Sequence, residues 1–263
     1  MRGFLIFFFA LFLTYCYSQK KSNYIFRYRL NYIPDSTNVN NIRTEDFVLY
    51  VTEGKSLFTS ENYLKRDSII KSAQVTNVLN ISKVPNTRFK YVLIKEGNKI
   101  KYYETILKYK FEYEEDANFG WDLVSGEIKK IGNYNCSKAN LKYGGRNWEA
   151  WFTVDIPIND GPFKFNKLPG LIVKISDSKN HYSFELISIE KNKIIENTIF
   201  DESFLEQHKK VSKSDFYKAV KNINDNIINE LSSSGLTVSG DSAEKVKSNL
   251  KKKNNPIELN NGF

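Results

Sequence analysis

Bulky and polar residues alternate through residues 23–33, where Ile25, Tyr28, Leu30 and Tyr32 are among the larger positions, and this predicts a first strand. Residues 47–51 predict a second, and Leu57-Phe58 a short third. Residues 61–73 are the early helix, with Leu64, Ile69 and Ala73 loosely on one side. Two strand-like runs, 89–95 and 100–107, flank a Gly97-Asn98 turn and read as a hairpin. Further strands are expected at 109–114, 121–124 and 127–131, the last two joined by a Ser125-Gly126 turn. Residues 136–143 and 146–153 pair across Gly144-Gly145, and 171–176, 181–190 and 193–200 complete a meander.

The period then changes. Phe216, Val220, Ile223, Ile227 and Leu231 recur at three- and four-residue spacing, which predicts one amphipathic helix over 215–231. Ser212 and Asp215 provide its capped start. From Ser232 the chain is polar and reads as a flexible tail. The fold class expected is α+β, mainly β: a curved antiparallel sheet, a half-barrel-like meander, with one or two helices packed on it. The division expected is a leader over 1–18, a single β-rich domain over 19–231 and a polar tail over 232–263.

The leader rests on one positive charge, Arg2, an apolar run over 4–13 and small residues at Cys16 and Ser18. These predict cleavage after Ser18 and export to the periplasm, the outer membrane or beyond. The apolar run is about half of the ~20 residues a spanning helix needs, so no transmembrane span is expected. Cys16 admits a lipoprotein reading, against which stands the bulky Tyr15 directly before it.

Composition narrows the chemistry. Cleavage would remove Arg2 and lower the net charge of +9 by one. The basic residues are scattered, and the one dense run, Lys251-Lys252-Lys253, falls in the tail, so a nucleic-acid partner is not expected. Past the leader Cys136 is the single cysteine, which rules out an internal disulfide. One cysteine with His181 and His208 does not make a zinc site, and no Gly-rich phosphate loop opens a helix. No metal or cofactor is expected. A Cys136–His181 pair oriented by Asp177 or Glu185 matches no cysteine-hydrolase signature, and no Gly-x-Ser-x-Gly elbow occurs. Glu114-Glu115-Asp116 reads as a solvated charge cluster.

Two stretches invite a binding role. Trp148 and Trp151 are three apart, so in a strand they face opposite ways. An exposed Trp beside Arg146 would form a recognition surface. Leu168-Pro169-Gly170 reads as a type II turn leading into an apolar strand, and residues 161–170 as an ordered lobe with Phe163 and Phe165 beneath it. The candidate ligand-binding residues are therefore Arg146, Trp148, Trp151, Leu168, Pro169 and Gly170, with no catalytic residue assigned.

The same stretch carries a resemblance. The runs Tyr134-Asn135-Cys136-Ser137-Lys138-Ala139, Gly145-Arg146-Asn147-Trp148-Glu149-Ala150-Trp151-Phe152-Thr153, Ile156-Pro157, Gly161-Pro162-Phe163-Lys164-Phe165 and Lys167-Leu168-Pro169-Gly170-Leu171-Ile172 come in order, and Asn255-Pro256-Ile257-Glu258-Leu259 follows near the end. Together they are similar to the GLPGLI family of exported Bacteroidota proteins. The resemblance implies a periplasmic or outer-membrane-associated setting and no reaction. Lys167 stands where the name motif has its first glycine, at a steric cost if that position needs a positive φ. The function expected is a non-catalytic binding or accessory protein for an apolar or peptide-like ligand, or for an outer-membrane or other envelope partner. A secreted hydrolase and a purely structural envelope module are the alternatives.

Overall fold

The computed structural model describes residues 23–192, 202–236 and 238–259. The leader with Cys16 and the strand expected at 193–200 lie outside them. The first half runs β1 (Tyr24–Tyr32), β2 (Arg43–Thr52), β3 (Lys55–Ser60), helix α1 (Glu61–Thr76), β4 (Tyr91–Glu96), β5 (Lys99–Ile106) and β6 (Tyr109–Asp116). The second half runs β7 (Asp122–Ile131), β8 (Tyr134–Tyr143), β9 (Arg146–Thr153), β10 (Leu171–Asp177) and β11 (Tyr182–Lys191). Helix α2 (Glu202–Glu206), the short β12 (Lys209–Lys210) and helices α3 (Lys213–Asp225), α4 (Ile227–Ser233) and α5 (Asp241–Lys251) follow.

These strands form one sheet in the order β12-β6-β5-β4-β3-β2-β1-β11-β10-β9-β8-β7. Two antiparallel meanders are thus joined where β1 pairs with β11, Tyr24 opposite Lys191 and Tyr32 opposite Tyr182. The sheet is not closed, but its curvature follows from its connections. If flat, it would hold β6 and β7 about 48 Å apart, at ~4.8 Å per strand. Only residues 117–121 link these two strands, a reach of about 21 Å at ~3.5 Å per step. The sheet must therefore curl until its ends approach.

The inner face is packed with protein. Phe26, Tyr28, Leu30 and Tyr32 project inward from β1 at the strand period of two, joined by Phe47, Phe58, Tyr91, Tyr113, Trp148 and Phe184 from other strands. The loop over 161–170 drops Phe163, Phe165 and Leu168 into the same cluster, and α3 adds Phe216 and Ile223. A smaller cluster, Leu57, Val92, Ile94 and Tyr103, lies outside it, covered by Tyr63 of α1 and Phe204 and Leu205 of α2.

Four local expectations change. Helix α1 forms, capped by Ser60 Oγ accepting from the Tyr63 amide at 3.2 Å, yet none of its residues is buried, because its apolar positions are too scattered to make a stripe. Ser125 and Gly126 do not turn the chain. They sit in a bulge within the single strand β7, whose pairing with β8 shifts between Val124 and Ile128. Gly126 at φ +79° lets this exposed edge strand absorb the extra residues. The helix expected over 215–231 breaks at Asn226, whose side chain donates to the Asn222 carbonyl at 3.0 Å and competes with the helical ladder. The polar stretch after Ser232 carries α5, and beyond it Asn255 and Glu258 are buried in the domain. Their anchors are polar groups supplied by distant strands, which no apolar periodicity announces.

Candidate functional site

The six residues singled out by sequence do not converge on one site. Period-two geometry places Arg146, Trp148, Ala150 and Phe152 together on the inner face of β9, all buried. Trp148 packs on Phe165 and donates its indole N–H to the Tyr143 carbonyl at 3.0 Å. Trp151 faces the other way, half-buried, as the three-residue spacing requires. It donates to Glu149 at 2.9 Å and lies under the ammonium groups of Lys129 and Lys138. Trp151 is therefore on the opposite face from Arg146, and the two cannot form one surface.

Leu168 is buried, Pro169 is exposed and Gly170 is buried. The turn is tighter than type II: the Gly170 amide donates to the Leu168 carbonyl, two residues back, at 2.8 Å. Gly170 has φ +147°, and a Cβ there would overlap the Thr153 carbonyl oxygen. Lys167 does hold a positive φ, +72°, and sends its ammonium to the Gly97 carbonyl at 2.7 Å. This loop closes the inner face of the sheet.

Arg146 is fully committed inside the protein. It donates to Asp177 at 2.9 Å, to Asn255 Oδ1 and the Pro256 carbonyl at 2.6 Å each, and to the Ile257 carbonyl at 3.0 Å. Lys164, between Phe163 and Phe165, is fully buried and ion-pairs with Glu115 and Glu258. Burial opposes its charge, but the two carboxylates raise its pKa well above the ordinary value. Glu115 thus belongs to an internal charge network, not to a solvated cluster. Cys136 is buried, and burial raises its thiol pKa to about 11. It lies about 16 Å along β8 from Leu141, which pairs through Trp148 with Asp177. Cys136 and Asp177 therefore do not meet as parts of a catalytic group.

An open cavity of about 530 Å³ borders Trp148, with Asp122, Lys142, Asn147 and Glu149 around it. A larger and more enclosed cleft of about 730 Å³ has a different character. Its walls are the loop after β1, the segment entering β4, the end of β5, helices α3 and α4, and the residues leaving α5. Arg43, Arg88, Lys90, Lys252 and Lys253 line it. Among the described residues, none of these five has a carboxylate within 4.0 Å. Ile106, Ile223, Ile227 and Leu250 add apolar surface to the same cleft.

The cleft cations feel one another. Lys253 is lowered by burial and then by Arg88 and Lys90, and Lys90 is lowered by burial and then by Arg66. The Arg88 guanidinium lies over the Tyr32 ring, 5.9 Å from its centre. Burial pushes the Glu104 carboxyl up to about 7, partly opposed by a hydrogen bond from the Tyr102 hydroxyl at 2.7 Å and by Lys90. Asp35 is occupied by Thr37 and Asn254. Near neutral pH the cleft therefore presents excess positive charge on a mostly polar lining with some apolar surface, chemistry suited to an acidic group on a partly apolar ligand. Sequence reasoning missed this site because its residues come from five separate segments. Its one visible trace was the basic run at 251–253.

A family model described as a protein of unknown function (Porph_ging) matches residues 144–174. No curated protein matches the chain. Two crystal forms of PNGF-II are similar, at 16% identity and TM-score 0.51 in space group P21 and 18% and 0.49 in C2. Each match covers 73% of this chain and 31% of PNGF-II, so the chain spans about a third of that protein's length. At this identity the P21 match is a likeness of fold alone. A LolA superfamily protein from Nitrosomonas europaea matches over 72% of this chain and 93% of its own, at 8% identity and TM-score 0.29. Among the described residues no helix is long and apolar enough to cross a membrane.

Proposed function

We propose that the protein is a non-catalytic binding protein of the cell envelope, exported by its leader and a member of the GLPGLI family, and that it takes an acidic, peptide-like ligand in the basic cleft. The observation that carries this reading is the gathering of Arg43, Arg88, Lys90, Lys252 and Lys253 around one cavity without ion-pair partners among the described residues. Assembling five cations from separate segments costs electrostatic repulsion, which an acidic ligand would relieve. An apolar ligand is favoured less. The inner face it would need is filled by Phe163, Phe165, Leu168 and Phe216 of the protein itself.

The test is calorimetric titration of the full chain with a tetraglutamate peptide at low and high ionic strength. Binding that weakens with salt, and weakens again in an Arg88→Ala/Lys90→Ala variant, is expected. Equal affinity for variant and parent would remove the cleft as the site.

A further inference from the structure

We propose that the groove around Arg146 is a recognition site for an Asn-Pro-x-Glu peptide, and that residues 255–258 of the same chain are its resident occupant. Three successive carbonyls of that segment are read. Tyr182 Oη donates to the Asn255 carbonyl at 2.7 Å, Arg146 Nη2 to the Pro256 carbonyl at 2.6 Å and Arg146 Nε to the Ile257 carbonyl at 3.0 Å. The Leu259 amide then donates to the Gly144 carbonyl at 2.6 Å. Pro256 has no N–H that would need a partner.

Side chains add sequence selectivity. The Asn255 amide donates to the Ile33 carbonyl at 2.6 Å, and its oxygen accepts from Arg146 at 2.6 Å. An Asp there would set a carboxylate against that carbonyl. Glu258 meets Lys164, and also accepts from Lys213 at 2.7 Å.

The Arg146 side of the groove is carried on strands β9, β10 and β11, while Lys164 comes from the 161–170 loop and Lys213 from α3. Asp177 fixes the guanidinium from β10 at 2.9 Å and is itself held by the Tyr182 amide at 2.8 Å. The guanidinium lies 4.9 Å from the centre of the Tyr182 ring. Lys164 keeps Glu115 and the Tyr113 hydroxyl as partners whether or not Glu258 is present. Removing the segment would leave two of the three Arg146 nitrogens without protein acceptors. A peptide of the same chemistry, on a second copy of the chain or on another protein, supplies the same acceptors.

The first test adds an unlabelled peptide spanning residues 254–259 to the isotope-labelled full chain and follows hydrogen exchange at the Leu259 amide. A tethered occupant acts at an effective concentration of order millimolar, so millimolar peptide is needed to compete. Saturable acceleration of that exchange is expected, with none from a peptide carrying Ala at the Asn255 and Glu258 positions. The second test uses the full chain with Asn255→Ala/Glu258→Ala, which removes the side-chain anchors and loosens the tethered segment in the groove. It should bind fluorescent wild-type peptide, and adding Arg146→Lys should weaken binding about tenfold by removing the planar fork. No competition in the wild-type chain at tens of millimolar peptide overturns the proposal. So does a folded double variant that binds no peptide. If that variant fails to fold, the wild-type competition decides alone.

Discussion

Lys164 and Glu258 stand 94 residues apart in the chain and form an ion pair inside the protein. One comes from the loop that closes the inner face and the other from the segment beyond α5. Lys213 of α3 joins them, and Glu115 of β6 is shared by both lysines. Four separate elements thus meet at one buried charge network.

The network sets a pH dependence. Burial pushes the Glu258 carboxyl up, but Lys164 and Lys213 outweigh this and hold it at about 2, against 4.5 ordinarily. The resulting stability is fully present above about pH 4.5 and is lost as pH falls toward 2, amounting to about 3 kcal/mol by linkage. Glu258→Gln should lower the neutral-pH stability by a comparable amount and flatten the acid limb. Urea unfolding between pH 2.5 and 7 reads both; an unchanged slope would show that Glu258 does not carry the effect.

Glu104 has the opposite sign. Its carboxyl titrates at about 7, so the stability tied to its neutral form is present below about pH 4.5 and lost as pH rises through 7. Ionisation also adds a negative charge beside Lys90. Tetraglutamate binding should therefore weaken between pH 6 and 8, and Glu104→Gln should remove that part of the dependence while leaving binding at pH 6 unchanged.

The two Trp residues of β9 should separate cleanly. Trp148→Ala removes a buried ring packed on Phe165 and should cost about 3–5 kcal/mol. Trp151→Ala, on the other face, should cost under about 1 kcal/mol. Similar losses in chemical denaturation would contradict the assignment of faces.

In the 167–170 loop, Lys167→Gly relieves a non-glycine φ of +72° and should stabilise by up to about 1 kcal/mol. Gly170→Ala forces a Cβ onto the Thr153 carbonyl and should cost more than about 4 kcal/mol or abolish folding. Thermal melts of the two variants moving the same way would refute this reading of the loop.

Cys136 should be unreactive in the folded state, since its buried thiol is pushed up to about 11. A thiol reagent at pH 8 should label it only at the rate of unfolding. Fast labelling of the native protein would mean that β8 opens locally.

The strands were legible because a half-buried strand writes its period into the chain: Phe26, Tyr28, Leu30 and Tyr32 do so on β1. The Arg146 groove and the cleft were not legible, for a common reason. Asn255 is anchored by Ile33 and Arg146, and Arg88 and Lys253 meet from positions far apart in the chain. Single polar side chains with distant partners leave no periodic trace. The helix break at Asn226 is likewise one side chain competing for one carbonyl. Lys164, a cation between two Phe residues, was the local sign that a buried partner had to exist.

The pairing of β1 with β11 also orders events in time. Tyr24 cannot find Lys191, nor Ile33 the Asn255 amide, until residues far along the chain have been made. Contacts of such sequence separation make folding slow and late. A chain threaded across a membrane from its amino end would carry the exposed edge of β1, with Phe26 and Leu30 uncovered, through most of its transit. If the proposed export holds, such a chain is a client for holding chaperones on the far side, and its sheet closes only near the end of translocation.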